Sequence, residues 1–95
     1  MEVRIQAINF DASEKLMAFI NKKAERLNRH NVALTELDVK MTVVKPESAM
    51  NKDVVMKAIV PQGEMVANKR ADSFEEAIDH CLEAIERQLE KYKKM

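Results

Sequence analysis

Lysine and arginine recur in two stretches of this chain at a spacing that gathers them on one side of a helix. Lys15, Lys22, Arg26 and Arg29 form the first set, and Arg87, Lys91 and Lys94 the second, with His80 on the same flank. At about 100° per residue each set makes a narrow stripe beside an apolar face. A stripe of fixed cations suits contact with successive phosphates of a polyanion. Lys23 sits nearer the apolar stripe, where a buried ammonium is costly, so its stem should snorkel outward. The second stretch also carries Glu75, Asp79, Glu83, Glu86 and Glu90, which share the opposite flank. Solvation and complementation of the helix dipole account for lysines in a last turn, but the dipole does not explain the basic stripe of the first helix.

Other chemistries find less support. His80 and Cys81 are adjacent, but neighbouring helix positions point about 100° apart and the chain has no second cysteine, which argues against a zinc site. Cys81 fits a small core position, and His30 caps or solvates the end of the first helix. No Gly-rich phosphate loop or G-x-S-x-G occurs, and the carboxylates fall on exposed faces, which argues against an enzyme, a cofactor or a small-molecule substrate.

The elements that must hold these residues follow from periodicity. "EVRIQAI" alternates, with Val3, Ile5 and Ala7 on one face, and reads as a strand. In "DASEKLMAFINKKAERLNRHN", Leu16, Phe19, Ile20, Ala24 and Leu27 recur at helical spacing, and Asp11 with Glu14 offers a capping-box-like start. "LTELDVKMTVV" alternates with Leu37, Val39, Met41 and Val43 inward, and Pro46 stops it. "KPESAMNKD" reads as a loop. "VVMKAIV" and "MVANKRA" are two further strands about a hairpin turn at "PQGE", which holds the sole glycine, Gly63. Asp72 and Ser73 both offer caps, and Ser73 with Glu76 completes a capping box. Phe74, Ala77, Ile78, Cys81, Leu82, Ile85, Leu89 and Tyr92 then line one side of a long final helix. The expected fold is α+β in the order β-α-β-β-β-α. The first two strands lie parallel, the rest form an antiparallel meander, and both helices cover one face of a four-stranded sheet.

Composition sets the limits. Ninety-five residues make one domain, residues 1–95. Hydrophobic residues at 46% and charged residues at 34% predict a folded chain. Seven methionines against four aromatics predict a pliable aliphatic core. One cysteine rules out an internal disulfide and fits a reducing compartment. No apolar stretch reaches transmembrane length and no signal peptide opens the chain, so a cytoplasmic protein without a membrane partner is expected. The formal net charge of zero hides segregation: residues 12–30 carry +3, residues 72–86 carry −6 and residues 87–95 carry +3.

At "AIDHCLEAIERQLEKYKK" the chain resembles the short ribosome hibernation-promoting factors, a group also labelled ribosome-associated inhibitor A or sigma-54 modulation proteins. Their last helix commonly reads A-I-D, an apolar pair, then R-Q-L-x-K-x-K. Here these are Ala77, Ile78 and Asp79, then Cys81 and Leu82, then Arg87, Gln88, Leu89, Lys91 and Lys93. The first helix matches through Leu16, Phe19, Ile20, Lys23, Arg26 and Leu27, and the expected element order covers the full chain. The resemblance implies a protein that binds the small ribosomal subunit between head and body, near the decoding centre. There it blocks messenger and transfer RNA and contacts ribosomal RNA phosphates without covalent chemistry. It also implies the short form, lacking the domain that drives ribosome pairing. Lys23, Arg26, Arg87 and Lys91 are the phosphate contacts carried by the match. Stripe geometry adds Lys22, Arg29 and Lys94. Lys93 points to the acidic flank, and Lys69 and Arg70 fit a solvated strand end. Ala84 stands where family helices usually carry a lysine, and this chain is neutral where relatives are often basic; both weaken the expected affinity. About six neutralised phosphates give a log–log salt slope of roughly −4 to −5. The competing function is a protein-interaction module working through the acidic flank of the last helix. A monomer off the ribosome is expected in either case.

Overall fold

The computed structural model describes residues 1–30, 32–45 and 49–94. The expected stop of the second strand at Pro46 lies outside them, as does part of the expected loop "KPESAMNKD". The elements run β1 Glu2–Ile8, α1 Glu14–Ala24, a 3-10 helix Glu25–His30, β2 Glu36–Val43, β3 Lys52–Val60, β4 Gly63–Ala71 and α2 Phe74–Lys93. The sheet order is β1-β2-β3-β4. β1 and β2 are parallel, with Ile5 beside Val39. β2–β3 and β3–β4 are antiparallel, with Val39 beside Met56 and Met56 beside Ala67. This is the α+β fold the alternation predicts.

Strict alternation gives the sheet one dry face. Leu37, Val39 and Met41 of β2 and Val54, Met56, Ala58 and Val60 of β3 are all buried, as are Met65 and Ala67 of β4. β1 is an edge strand, and its Val3, Ile5 and Ala7 are only partly covered. α2 lies over β3 and β4 and buries Phe74, Ala77, Ile78, Cys81, Leu82, Ile85 and Leu89. Each fully buried large aliphatic side chain among these is worth about 1.5–3 kcal/mol. α1 lies against β1 and buries Ile20 and Ala24, and Leu27 of the 3-10 helix extends the same face. Phe10 and Phe74 stack with ring centroids 4.6 Å apart, tying the end of β1 to the start of α2.

Local detail departs from the sequence reading in four places. The expected single helix through residue 30 tightens into 3-10 geometry after Ala24. That brings His30 partly under cover. The first helix is capped by Ser13, whose hydroxyl accepts from Leu16 N–H at 3.0 Å, and not by Asp11. β3 and β4 each begin two residues earlier than read, at Lys52 and Gly63. Val60 therefore pairs with Gly63 across a loop of only Pro61 and Gln62, and Gly63 flanks the turn without a positive φ. Ser73 caps α2 as expected, its hydroxyl accepting from Glu76 N–H at 3.2 Å. The neighbouring Asp72 instead accepts from Met50 N–H at 2.7 Å, where Met50 holds a left-handed φ of 51°.

The two candidate caps of α1 can be separated by chemical denaturation. Ser13→Ala should lower stability by about 1 kcal/mol, whereas Asp11→Ala should stay within about 0.5 kcal/mol of the wild type.

Candidate nucleic-acid interface

Two helices on one sheet face must lie side by side, so their inner flanks meet. The flanks that meet are opposite in charge. Lys23 Nζ lies 3.6 Å from Asp79 Oδ1. The Arg26 guanidinium donates to Glu86 Oε1. His30 reaches Glu86 Oε2 through Nε2 at 2.8 Å and Glu90 Oε1 through Nδ1 at 3.2 Å. The pairs step in the same sense along both helices, so α1 and α2 run parallel. Both ring nitrogens of His30 face acceptors, and only the imidazolium form makes both bonds at once. Burial alone would raise the Glu86 carboxyl. Hydrogen bonds from His30 and Arg26, with the charges of both, outweigh it and hold the carboxyl below its ordinary value of 4.5.

The candidate phosphate-binding residues therefore separate into two groups. Lys23 and Arg26 are engaged by acids, with Lys23 also lying 5.4 Å from the Phe19 ring centroid. Lys22, Arg29, Arg87, Lys91 and Lys94 are exposed and make no ion pair among the described residues. The stripes on the two helices do not fuse into one patch. Around the exposed side of α2 the sequence is base, acid, base: the inner cations from α1, then Asp79, Glu83, Glu86 and Glu90, then Arg87, Lys91 and Lys94 on the far flank. Lys91 also borders a cleft at the end of α2, beside Val60, Met65, Gln88 and Tyr92.

The remaining candidates resolve individually. Lys93 turns toward the acids and lies 3.7 Å from Glu90. Arg70 pairs with Asp53 across β3–β4 at 3.1 Å. His80 lies 3.6 Å from Glu76, one turn back. Cys81 is buried, and its thiol donates to the Val54 carbonyl at 3.4 Å. Burial pushes that thiol up to about 11, which makes it a poor nucleophile. Among the described residues no cluster of His, Cys, Asp or Glu could hold a metal ion, and no helix is long and apolar enough to cross a membrane. His30 was read from sequence as a capping or solvated residue. Its bridging place became visible only once the two helices were set side by side.

Residues 3–95 match the family described as sigma 54 modulation protein / S30EA ribosomal protein. The chain belongs to that family. A ribosome hibernation promoting factor of Azotobacter vinelandii is 31% identical over 93 residues, covering 98% of this chain and 83% of the relative. One from Pseudomonas putida is 29% identical, covering 98% and 87%. Among solved structures, a ribosomal subunit interface protein from Coxiella burnetii superimposes with a TM-score of 0.84 at 20% identity, covering 100% of both chains. The N-terminal domain of Protein Y from Thermus thermophilus gives a TM-score of 0.83 at 16% identity, covering 97% of this chain and 99% of that one. At these identities the two structures establish a shared fold.

The depressed Glu86 carboxyl sets a pH dependence. A carboxyl held below its ordinary value stabilises the fold above pH 4.5, and that contribution is lost as pH falls through the folded value. Both partners are partly exposed, so the expected size is about 0.5–1 kcal/mol. In thermal or urea unfolding, Glu86→Gln should be less stable than wild type by that amount near neutrality. The gap should close as the solution is acidified below pH 4.5.

Proposed function

We propose that residues 1–95 act as one ribosome-binding domain of a hibernation factor. It docks on the small ribosomal subunit near the decoding centre and blocks messenger and transfer RNA. The observation that carries this reading is the far flank of α2, where Arg87, Lys91 and Lys94 are exposed, ordered along one helix side and unpartnered by acids. Lys22 and Arg29 form a second exposed cationic set, on the other side of the acids of α2. Two curated relatives named for ribosome hibernation, matched over nearly the whole chain, support the same reading. The aromatic rings support a phosphate-reading mode over base stacking: Phe10 and Phe74 stack on each other, and Phe19 lies under Lys23. The domain would work in the cytoplasm as a monomer off the ribosome, without catalysis or cofactor.

A protein-docking role for the acidic flank of α2 loses much of its surface. Asp79, Glu86 and Glu90 are engaged by α1 and the 3-10 helix, which leaves Glu75 and Glu83 as its acids without an ion pair among the described residues.

Sedimentation with purified small subunits tests the reading. Wild type should co-migrate at low salt and dissociate as salt rises. Five unpartnered cations give a log–log slope of about −3.5 to −4.5. Arg87→Glu with Lys91→Glu should abolish co-migration while leaving the circular dichroism spectrum and melting temperature near wild type. Retention of the doubly reversed variant on subunits would sink the assignment.

A further inference from the structure

We propose that Glu86 is an internal competitor for the nucleic-acid phosphate, and that Arg26 is a binding residue held in reserve behind it. The inference rests on the ribosome-binding reading above and adds to it an autoinhibitory contact. Glu86 uses both carboxylate oxygens, one on Arg26 and one on His30. Planar pairing of a guanidinium with two-oxygen acceptors serves carboxylate and phosphate alike, so a phosphate oxygen entering from solvent can replace Glu86 at Arg26. The site is open to that exchange: the Arg26 side chain is 32% exposed and that of Glu86 is 24% exposed. The neighbouring seam contact is of the same kind, since Lys23 and Asp79 are 3.6 Å apart with side chains 34% and 40% exposed. His30 has the further carboxylate of Glu90 on its other ring nitrogen, so it stays anchored while Arg26 turns outward.

The seam then acts as a threshold. An isolated phosphate or a short anion meets two engaged cations and gains little by displacing a covalently tethered acid. A folded polyanion already seated on Arg87, Lys91 and Lys94 brings further phosphates to the seam at high local concentration and can displace Glu86. Neutral overall charge thereby favours a large structured RNA over scattered anions.

Glu83 supplies the control. It carries the same charge on the same flank of α2, is exposed, and makes no ion pair among the described residues. Wild type, Glu86→Gln, Glu83→Gln, Arg26→Gln and the Arg26→Gln/Glu86→Gln pair are compared for affinity to purified small subunits and, in parallel, to polyuridylate. All variants are first checked by melting temperature. Glu86→Gln should bind about two- to fivefold more tightly, the scale of one partly exposed ion pair. Its salt slope should steepen by about 0.7–0.9, one additional phosphate contact. Glu83→Gln should gain less and leave the slope unchanged, and the Glu86→Gln gain should vanish when Arg26 is also replaced. Equal gains for Glu86→Gln and Glu83→Gln, or a gain that survives Arg26→Gln, would overturn the proposal. If wild type ignores subunits, the ribosome reading fails, and the polyuridylate arm still decides whether Glu86 masks Arg26.

Discussion

The arrangement depends on the sheet having one dry face. Four alternating strands place Leu37, Val39, Met41, Val54, Met56 and Ala58 on the same side, and that side can be covered only by the chain's two helices. They must sit next to each other, because there is no second apolar face to take one of them. Once adjacent, they present flanks to each other whose charges cannot be chosen independently. Like charges across this gap would oppose the packing that buries Ile20, Leu27, Ile78, Leu82 and Leu89. Opposite charges are compatible with the packing. The ion pairs contribute less than the aliphatic burial; the strand order and the apolar stripe of each helix set which flank turns inward and therefore which cations remain for solution.

Most of this fold could be read from one-dimensional pattern. Strand alternation located all four strands and the inward faces of the first three, and Ser73 with Glu76 marked the start of α2 to the residue. The misreadings were local and have physical causes. Asp11 and Ser13 are both good caps, and the choice fell to Ser13 because its hydroxyl reaches Leu16 N–H, which no composition rule specifies. The tightening of the chain after Ala24 has no Gly or Pro to announce it. In the site, each helix taken alone disclosed its own basic and acidic flanks. Neither periodicity says which flank of one helix faces which flank of the other. The pairing of Lys23 with Asp79 and of Arg26 with Glu86, about sixty positions apart in sequence, is a consequence of packing, so these two candidate phosphate contacts are internally engaged.

This pairing changes what a neutral net charge means. An ion in salt solution responds to charges within roughly one Debye length, about 8–10 Å at physiological strength, and not to the formal sum over the chain. In the seam, Asp79 and Glu86 face Lys23 and Arg26, so two of the six acids of residues 72–86 are engaged by cations of residues 12–30. The last segment, residues 87–95, keeps an excess of three positive charges with only Glu90 against it. Even Glu90 is turned toward His30 and Lys93. The far flank of α2 thus carries three exposed cations, with Glu83 one turn from Arg87 as the neighbouring acid that no ion pair engages among the described residues, in a molecule whose charges cancel. A neutral total and an exposed cationic flank are compatible here because the helix that carries the candidate binding cations also carries, about one-third of a turn away, the acids that hold its neighbour.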